Sequence, residues 1–314
     1  MDIGHKQADR DLDKLARRIV KEYNTAYRSI KKKANDYFAK FEEADKKMFG
    51  KVDAGQITRD EYLEWRKSKM IGGDNWNNTV KAISRDYANI AQVTADMTGE
   101  QMEYVYANNF NYGTFELESA SGINTNFTLY NKDTVKELLT DNPQLLPKPS
   151  RVIKKAERWN MKKVNSALTQ GILQGDSIDN IAKRLRRVTD MNISSSIRNA
   201  RTMTTRAENS GRLQAYERVS DMGIDIKKVW VASIDDRTRQ AHIDLDGQEV
   251  ALDEKFVDMD GNELEYPADP SAAPETVYNC RCTMIAVPFG FNKEDFLDDR
   301  ISELDYDEWK ERRK

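Results

Sequence analysis

Residues 216–231, Tyr-Glu-Arg-Val-Ser-Asp-Met-Gly-Ile-Asp-Ile-Lys-Lys-Val-Trp-Val, decide the fold class, because the hydrophobic period changes inside them. Before Gly223 the apolar residues follow a helical repeat. After it, Ile226, Val229 and Val231 with Trp230 read as a strand. The glycine is a natural helix stop. Downstream, Asp246-Gly247 and Asp260-Gly261 are hairpin-type turn signals, and Thr283-Met284-Ile285-Ala286-Val287 is a last strand closed by Pro288. The expectation is an α+β chain, mainly helical: elongated N-terminal helices and a basic helical bundle, followed by a small β-rich C-terminal module.

Upstream, Arg151 onward reads as three helices. The first runs over about 151–173 with Ile153, Trp159, Val164, Leu168 and Ile172 inward; the second is capped by Asp176 or Ser177; the third runs from about Ser194 to Met222. Pro143, Pro147 and Pro149 form a stiff junction, since each removes a backbone donor and restricts its predecessor. Before them, Leu12, Leu15, Ile19, Tyr23, Tyr27, Ile30, Ala34, Tyr37 and Phe41 line one face of a long helix that Gly50 is expected to stop. Thr58 and Glu61 have capping-box spacing at the head of the next helix. Gly72-Gly73 breaks the chain before a third helical run ending near Thr98. The Asn- and aromatic-rich stretch 104–131 reads as a loop or short hairpins, its aromatics Tyr104, Tyr106, Phe110, Tyr112, Phe115 and Phe127 forming either a partner surface or a seal on the helices. The resulting division is 1–147 helical, 148–223 basic bundle, 224–290 β-rich module and 291–314 acidic tail.

Charge is segregated along the chain. Residues 148–218 carry 16 Lys+Arg against 6 Asp+Glu, whereas residues 219–314 carry 12 against 24, so a net charge of −3 conceals a basic middle and an acidic end. One region facing a polyanion would explain this, as would attraction between the two segments. Lys154, Lys155, Arg158, Lys162, Lys163, Arg184, Arg186 and Arg187 are the candidates for contact with DNA phosphates, which needs clustered cations and reads no sequence. A merely solvated helix face is the alternative. No apolar stretch approaches the roughly 20 residues that cross a bilayer. The opening Met1-Asp2-Ile3-Gly4-His5-Lys6-Gln7 has no apolar signal core, which predicts synthesis and assembly in a cytoplasm.

The densest polar cluster is Asp235-Asp236-Arg237-Thr238-Arg239-Gln240-Ala241-His242, followed by Asp246-Gly247 and, some forty residues on, by Asn279-Cys280-Arg281-Cys282. The two cysteines are too close in sequence for an unstrained disulfide. Two thiolates and an imidazole are three of the four ligands of a structural zinc site, with Asp235, Asp244 or Asp246 as candidates for the fourth. A metal-free hydrogen-bonded core motif and a reactive thiol are the alternatives. Asp235, Arg237 and Arg239 are expected to form an ion-paired clip at a strand end. Phosphate-loop, zinc-protease and nucleophile-elbow signatures are missing, so catalysis is not expected.

Ala200-Arg201-Thr202 and Asn209 on a long helix, then Gly223, Trp230, Asp236-Arg237-Thr238-Arg239 with His242, Leu245-Asp246-Gly247 and Asn279-Cys280-Arg281-Cys282 appear in a fixed order. That order, over about residues 150–288, resembles the Mu F-like minor head protein family of tailed bacteriophages, the head-morphogenesis family. The resemblance implies a protein inside the virion capsid that binds the portal and the major capsid or scaffold proteins, assists head assembly, and in some members touches double-stranded DNA and leaves with it. It carries the family motif over to Asp236, Arg237, Arg239, His242, Asp246, Gly247, Asn279, Cys280 and Cys282, without fixing their chemical role. Some relatives carry an appended toxin domain; with only about 25 residues after Pro288 here, none is expected. The rival expectations are an enzyme, a nuclease or transferase centred on Asp236, Arg239, His242 and Cys280, and an assembly factor absent from the mature virion.

Overall fold

The computed structural model describes residues 2–146, 153–293 and 303–313. Its helices are α1 (Ile3–Ala39), α2 (Glu42–Asp53), α3 (Arg59–Met70), α4 (Gly73–Ser121), α5 (Lys132–Asp141), α6 (Ile153–Leu173) and α7 (Ile178–Ser220). Beyond them come β1 (Ile226–Val231), α8 (Gln240–Leu245), β2 (Glu249–Ala251), β3 (Phe256–Val257), β4 (Glu263–Leu264), α9 (Pro274–Val277), β5 (Thr283–Pro288) and α10 (Glu303–Glu311). The protein is mainly α with a small antiparallel sheet near its C-terminus, as the change of period at Gly223 predicts.

Two compact units are formed from interleaved segments. One comprises residues 17–95 and 150–197; the other comprises residues 1–16, 96–149 and 198–314. The first is all helical. Ile19, Tyr23, Ile30, Tyr37, Ile83, Tyr87, Val164, Leu168, Ile172, Ile181 and Leu185 fill its core. Tyrosine hydroxyls bond between helices: Tyr27 donates to the Ala182 carbonyl (2.9 Å), Tyr37 to Met70 (2.6 Å) and Tyr87 to Leu185 (3.0 Å). Thr58 accepts from the Glu61 amide, and Glu61 reaches back to the Thr58 amide, completing the expected capping box of α3.

The second unit holds the sheet. Strand order is β2-β1-β5, with Val229 opposite both Glu249 and Ile285. Alternation along β1 sends Ile226 and Trp230 into a core shared with Phe110 and Leu117 of α4 and Leu213, Tyr216 and Val219 of α7, while Val229 packs with Ile285 and Val287 on the other face. Asp260-Gly261 does turn a hairpin, β3 to β4, with Gly261 at φ +80°. Asp246-Gly247 instead closes α8 and leads into β2.

Four sequence-based expectations are corrected. The stretch 104–121 is the last third of α4. Its polar residues serve the helix itself, because Asn109 donates to the Val105 carbonyl (3.0 Å) and Thr114 to that of Phe110 (3.0 Å), while Asn111 holds the Tyr130 backbone. Only 122–131 is irregular. The basic region has two helices, since α7 runs unbroken through 188–194: Thr189 and Asn192 bond carbonyls four residues back in the same helix. Gly50 lies inside α2, a position that costs only about 1 kcal/mol relative to alanine; the break falls at Lys40–Phe41, where the Phe41 amide returns to Phe38 (3.0 Å). Trp159 is 40% exposed instead of inward. Pro147 and Pro149 lie outside the described residues, as does the start of the tail at 294–302. In the tail, Tyr306 and Trp309 on α10 pack against Tyr112 and Phe115.

Candidate functional site

The C-terminal half of α7 carries polar side chains at 201, 202, 205, 208, 209 and 212, which the helical repeat places in one stripe. The segment 279–284 lies along that stripe and is held by its backbone. Thr202 Oγ1 accepts from the Asn279 amide (2.8 Å), Thr205 donates to the Cys280 carbonyl (2.8 Å), Asn209 to that of Cys282 (3.2 Å) and Arg212 to that of Met284 (3.0 Å). Arg201 adds a bond to the Asn279 side chain (2.8 Å). Asn279 itself adopts φ +61°, a left-handed conformation that asparagine tolerates better than most residues. That kink opens the Cys-x-Cys segment immediately before β5.

Opposite α7, the loop after β1 and the short α8 complete the cluster. The Asp246 carboxylate, at the end of α8, accepts from the Ala232 amide (2.8 Å), and the Gly247 amide returns to Trp230 (2.8 Å). These bonds fix α8 against the end of β1 and bury His242. Its Nε2 meets the carbonyl of Thr276 in α9 at 2.8 Å, and its ring sits edge-on to Trp230. Its Nδ1 faces both thiols: Cys282 Sγ at 3.4 Å and Cys280 Sγ at 3.7 Å. All three residues are buried, and they are the group among the described residues whose ligand atoms converge as a metal would require. A hydrogen bond from Cys280 lowers the pKa of Cys282, with His242 adding to the effect; that bond and burial push the Cys280 thiol up.

Asp235 forms the expected clip, though mainly with a different cation. Arg281, between the cysteines, grips it through both nitrogens (2.6 and 2.5 Å), and Arg237 adds a weaker contact at 3.1 Å. The bonds from Arg281 and from the Arg237 amide hold the Asp235 carboxyl well below the usual range. Arg239 instead donates to the Tyr278 carbonyl. Asp236 is exposed. The three carboxylates considered as a fourth metal ligand are all engaged: Asp235 with Arg281, Asp244 with Gln240 (2.8 Å) and Asp246 with Ala232.

Sequence reasoning did not anticipate the charged core beside this cluster. Arg212 is fully buried and bonds Asp2 (2.6 Å), while Glu208 receives His5 Nδ1 (2.8 Å) and Thr283 (2.7 Å). Burial opposes charge at His5, but Glu208 outweighs it and raises the imidazole to about 9. Burial likewise opposes ionisation of Asp2, and Arg212 overrides it, lowering the carboxyl to about 2. Glu116 lacks such compensation, so burial raises it to about 8. The polar stripe on α7 was the available signal for these residues.

Of the eight cations considered for DNA, Lys154, Lys155, Arg158 and Lys162 are exposed on α6, and Lys163 lies over the exposed ring of Trp159 at 5.6 Å. Arg187 is exposed on α7. Arg184 is bound to Asp176 (2.6 Å), and Arg186 to Asp190 (2.9 Å) and Asn24 (2.6 Å), which withdraws both from a free cationic surface.

Comparison with known proteins bears out the resemblance over this region. Residues 162–285 match the family described as Phage Mu protein F like protein. Minor head protein GP7 of Bacillus phage SPP1 is 24% identical over 285 residues, an alignment covering 90% of this chain and 85% of that protein. An NAD(+)--arginine ADP-ribosyltransferase, EFV, of Enterococcus faecalis (strain ATCC 700802 / V583) is 32% identical over 199 residues, which is 62% of this chain but only 40% of that relative's length. No solved structure matches. No described helix is long and apolar enough to cross a membrane.

Proposed function

We propose that this chain is a bacteriophage minor head protein that works by binding inside the capsid. The observation that carries the reading is the alignment with the SPP1 minor head protein along nearly the whole of both chains. The portal protein and the major capsid or scaffold proteins are the proposed partners, met first in the host cytoplasm during assembly and afterwards in the virion. The exposed α6 face, with Lys154, Lys155, Arg158, Lys162 and Lys163 beside Trp159, is proposed to lie against packaged double-stranded DNA without reading its sequence.

An enzyme is the second reading, favoured by the similarity to the ADP-ribosyltransferase. More than half of that protein lies outside the match, so the shared part is compatible with a common head module carrying different neighbours. Counting copies per portal ring by quantitative mass spectrometry of purified virions, before and after triggered DNA ejection, tests the proposal. A few copies in full virions support it; depletion after ejection makes the protein one that travels with DNA. Absence from both samples refutes it in favour of an assembly factor or enzyme.

A further inference from the structure

We propose that His242, Cys280 and Cys282 bind one zinc ion through the imidazole Nδ1 and two thiolates, with solvent in the fourth position. Nε2 lies 2.8 Å from the Thr276 carbonyl, which can only accept, so Nε2 carries the proton. In the neutral imidazole Nδ1 then offers a single lone pair. Both sulfurs converge on it, at 3.7 Å for Cys280 and 3.4 Å for Cys282, so that one nitrogen and two sulfur lone pairs face the same buried point. A metal ion centred there would accept from all three.

The distances fit that centre. Zinc–sulfur bonds of about 2.3 Å and zinc–nitrogen bonds of about 2.05 Å, set at tetrahedral angles, place sulfur and nitrogen about 3.5–3.6 Å apart. The two observed separations straddle that edge. Surrounding contacts have the pattern of a support for metal ligands: the other imidazole nitrogen is fixed by a backbone carbonyl, and the Cys282 amide points at Cys280 Sγ (3.4 Å), where it would stabilise a thiolate. The carbonyls of Cys280 and Cys282 are held by Thr205 and Asn209 of α7, so both cysteines are positioned whether or not an ion is present. Among the described residues no carboxylate joins the group, which assigns the fourth position to solvent. A coordinating thiol gives up its proton on binding, so affinity should rise with pH.

The test uses the full chain purified without chelator. Metal analysis should find about one zinc per chain, retained through gel filtration, and X-ray absorption should show two sulfur and two lighter neighbours. Replacement by cobalt(II) should give sulfur-to-metal charge-transfer bands, and Cys282→Ser should weaken them. Cys282→Ser is the variant most exposed to misfolding, so the wild-type stoichiometry and coordination shell stand as the deciding measurements. Wild-type protein that neither retains zinc nor takes up an equimolar amount, or that takes it up with no sulfur neighbour, overturns the proposal. So does equal reactivity of both thiols toward an alkylating reagent with and without zinc.

Discussion

Replacing Gly211 by alanine should destabilise the protein, whereas the same change at Gly50 should stabilise it. Both glycines lie inside helices, so each substitution gains about 1 kcal/mol of helix propensity. What differs is the space for the new methyl group. At Gly50, on α2, a Cβ meets nothing within 4 Å. At Gly211, on α7, it would lie 2.5 Å from the Tyr106 carbonyl oxygen and 3.2 Å from the Phe110 nitrogen, both backbone atoms of α4. Backbone cannot swing aside as a side chain can, so α4 and α7 must separate, at an overpacking cost of about 1–3 kcal/mol. The propensity gain cancels between the two variants, and their difference isolates the close approach of the helices. Urea unfolding followed by circular dichroism should place Gly50→Ala above Gly211→Ala by about 1–3 kcal/mol. Equal midpoints would refute the inference that the missing side chain at 211 sets the spacing of α4 and α7.

Three further outcomes are expected. Stability should fall as pH rises from about 5 to 9: the His5–Glu208 pair contributes fully below the unfolded imidazole value of 6.5 and is lost as pH passes about 9, at most about 3 kcal/mol, and Glu116 acts with the same sign up to about 8. Asp2 acts oppositely, its contribution being present above pH 3.8 and lost as pH falls toward 2; denaturant midpoints for wild type and His5→Gln should diverge at pH 5 and converge by pH 9. Reversing Lys154, Lys155, Arg158 and Lys162 to glutamate should reduce the salt dependence of DNA binding by about 3–4 in log–log slope and spare the thermal transition, as measured by fluorescence anisotropy; an unchanged slope would remove α6 as the DNA face. Thr58→Ala should cost about 1 kcal/mol through loss of the α3 cap, read from the urea midpoint.

The legible part of the fold is what one local rule decides. Gly223 ends a helix and Ile226, Val229 and Trp230 alternate, so β1 follows directly; Thr58 and Glu61 announce a helix start by spacing alone. Asn109, Thr114, Thr189 and Asn192 were misleading because such side chains can leave a helix or bond back into it, and tertiary burial of their neighbours chose the second. The convergence of His242 with Cys280 and Cys282 was readable as residue types in one chain order, while their shared focus on Nδ1 depends on α8, α9 and α7 arriving together. Arg281 as the partner of Asp235 had no signal at all, since its place between two cysteines drew attention to the sulfurs.

The pairing of Asp2 with Arg212 spans 210 residues of chain. During synthesis at about 5–20 residues per second, Asp2, just ahead of α1, therefore leaves the ribosome some 10–40 s before its ion-pair partner is made. Glu208 must emerge to meet His5, and Thr283 and Met284 must follow before Glu208 and Arg212 are fully bonded. The start of α1 is thus locked long after it is made, and a nascent chain keeps that edge of this unit open until β5 has been made.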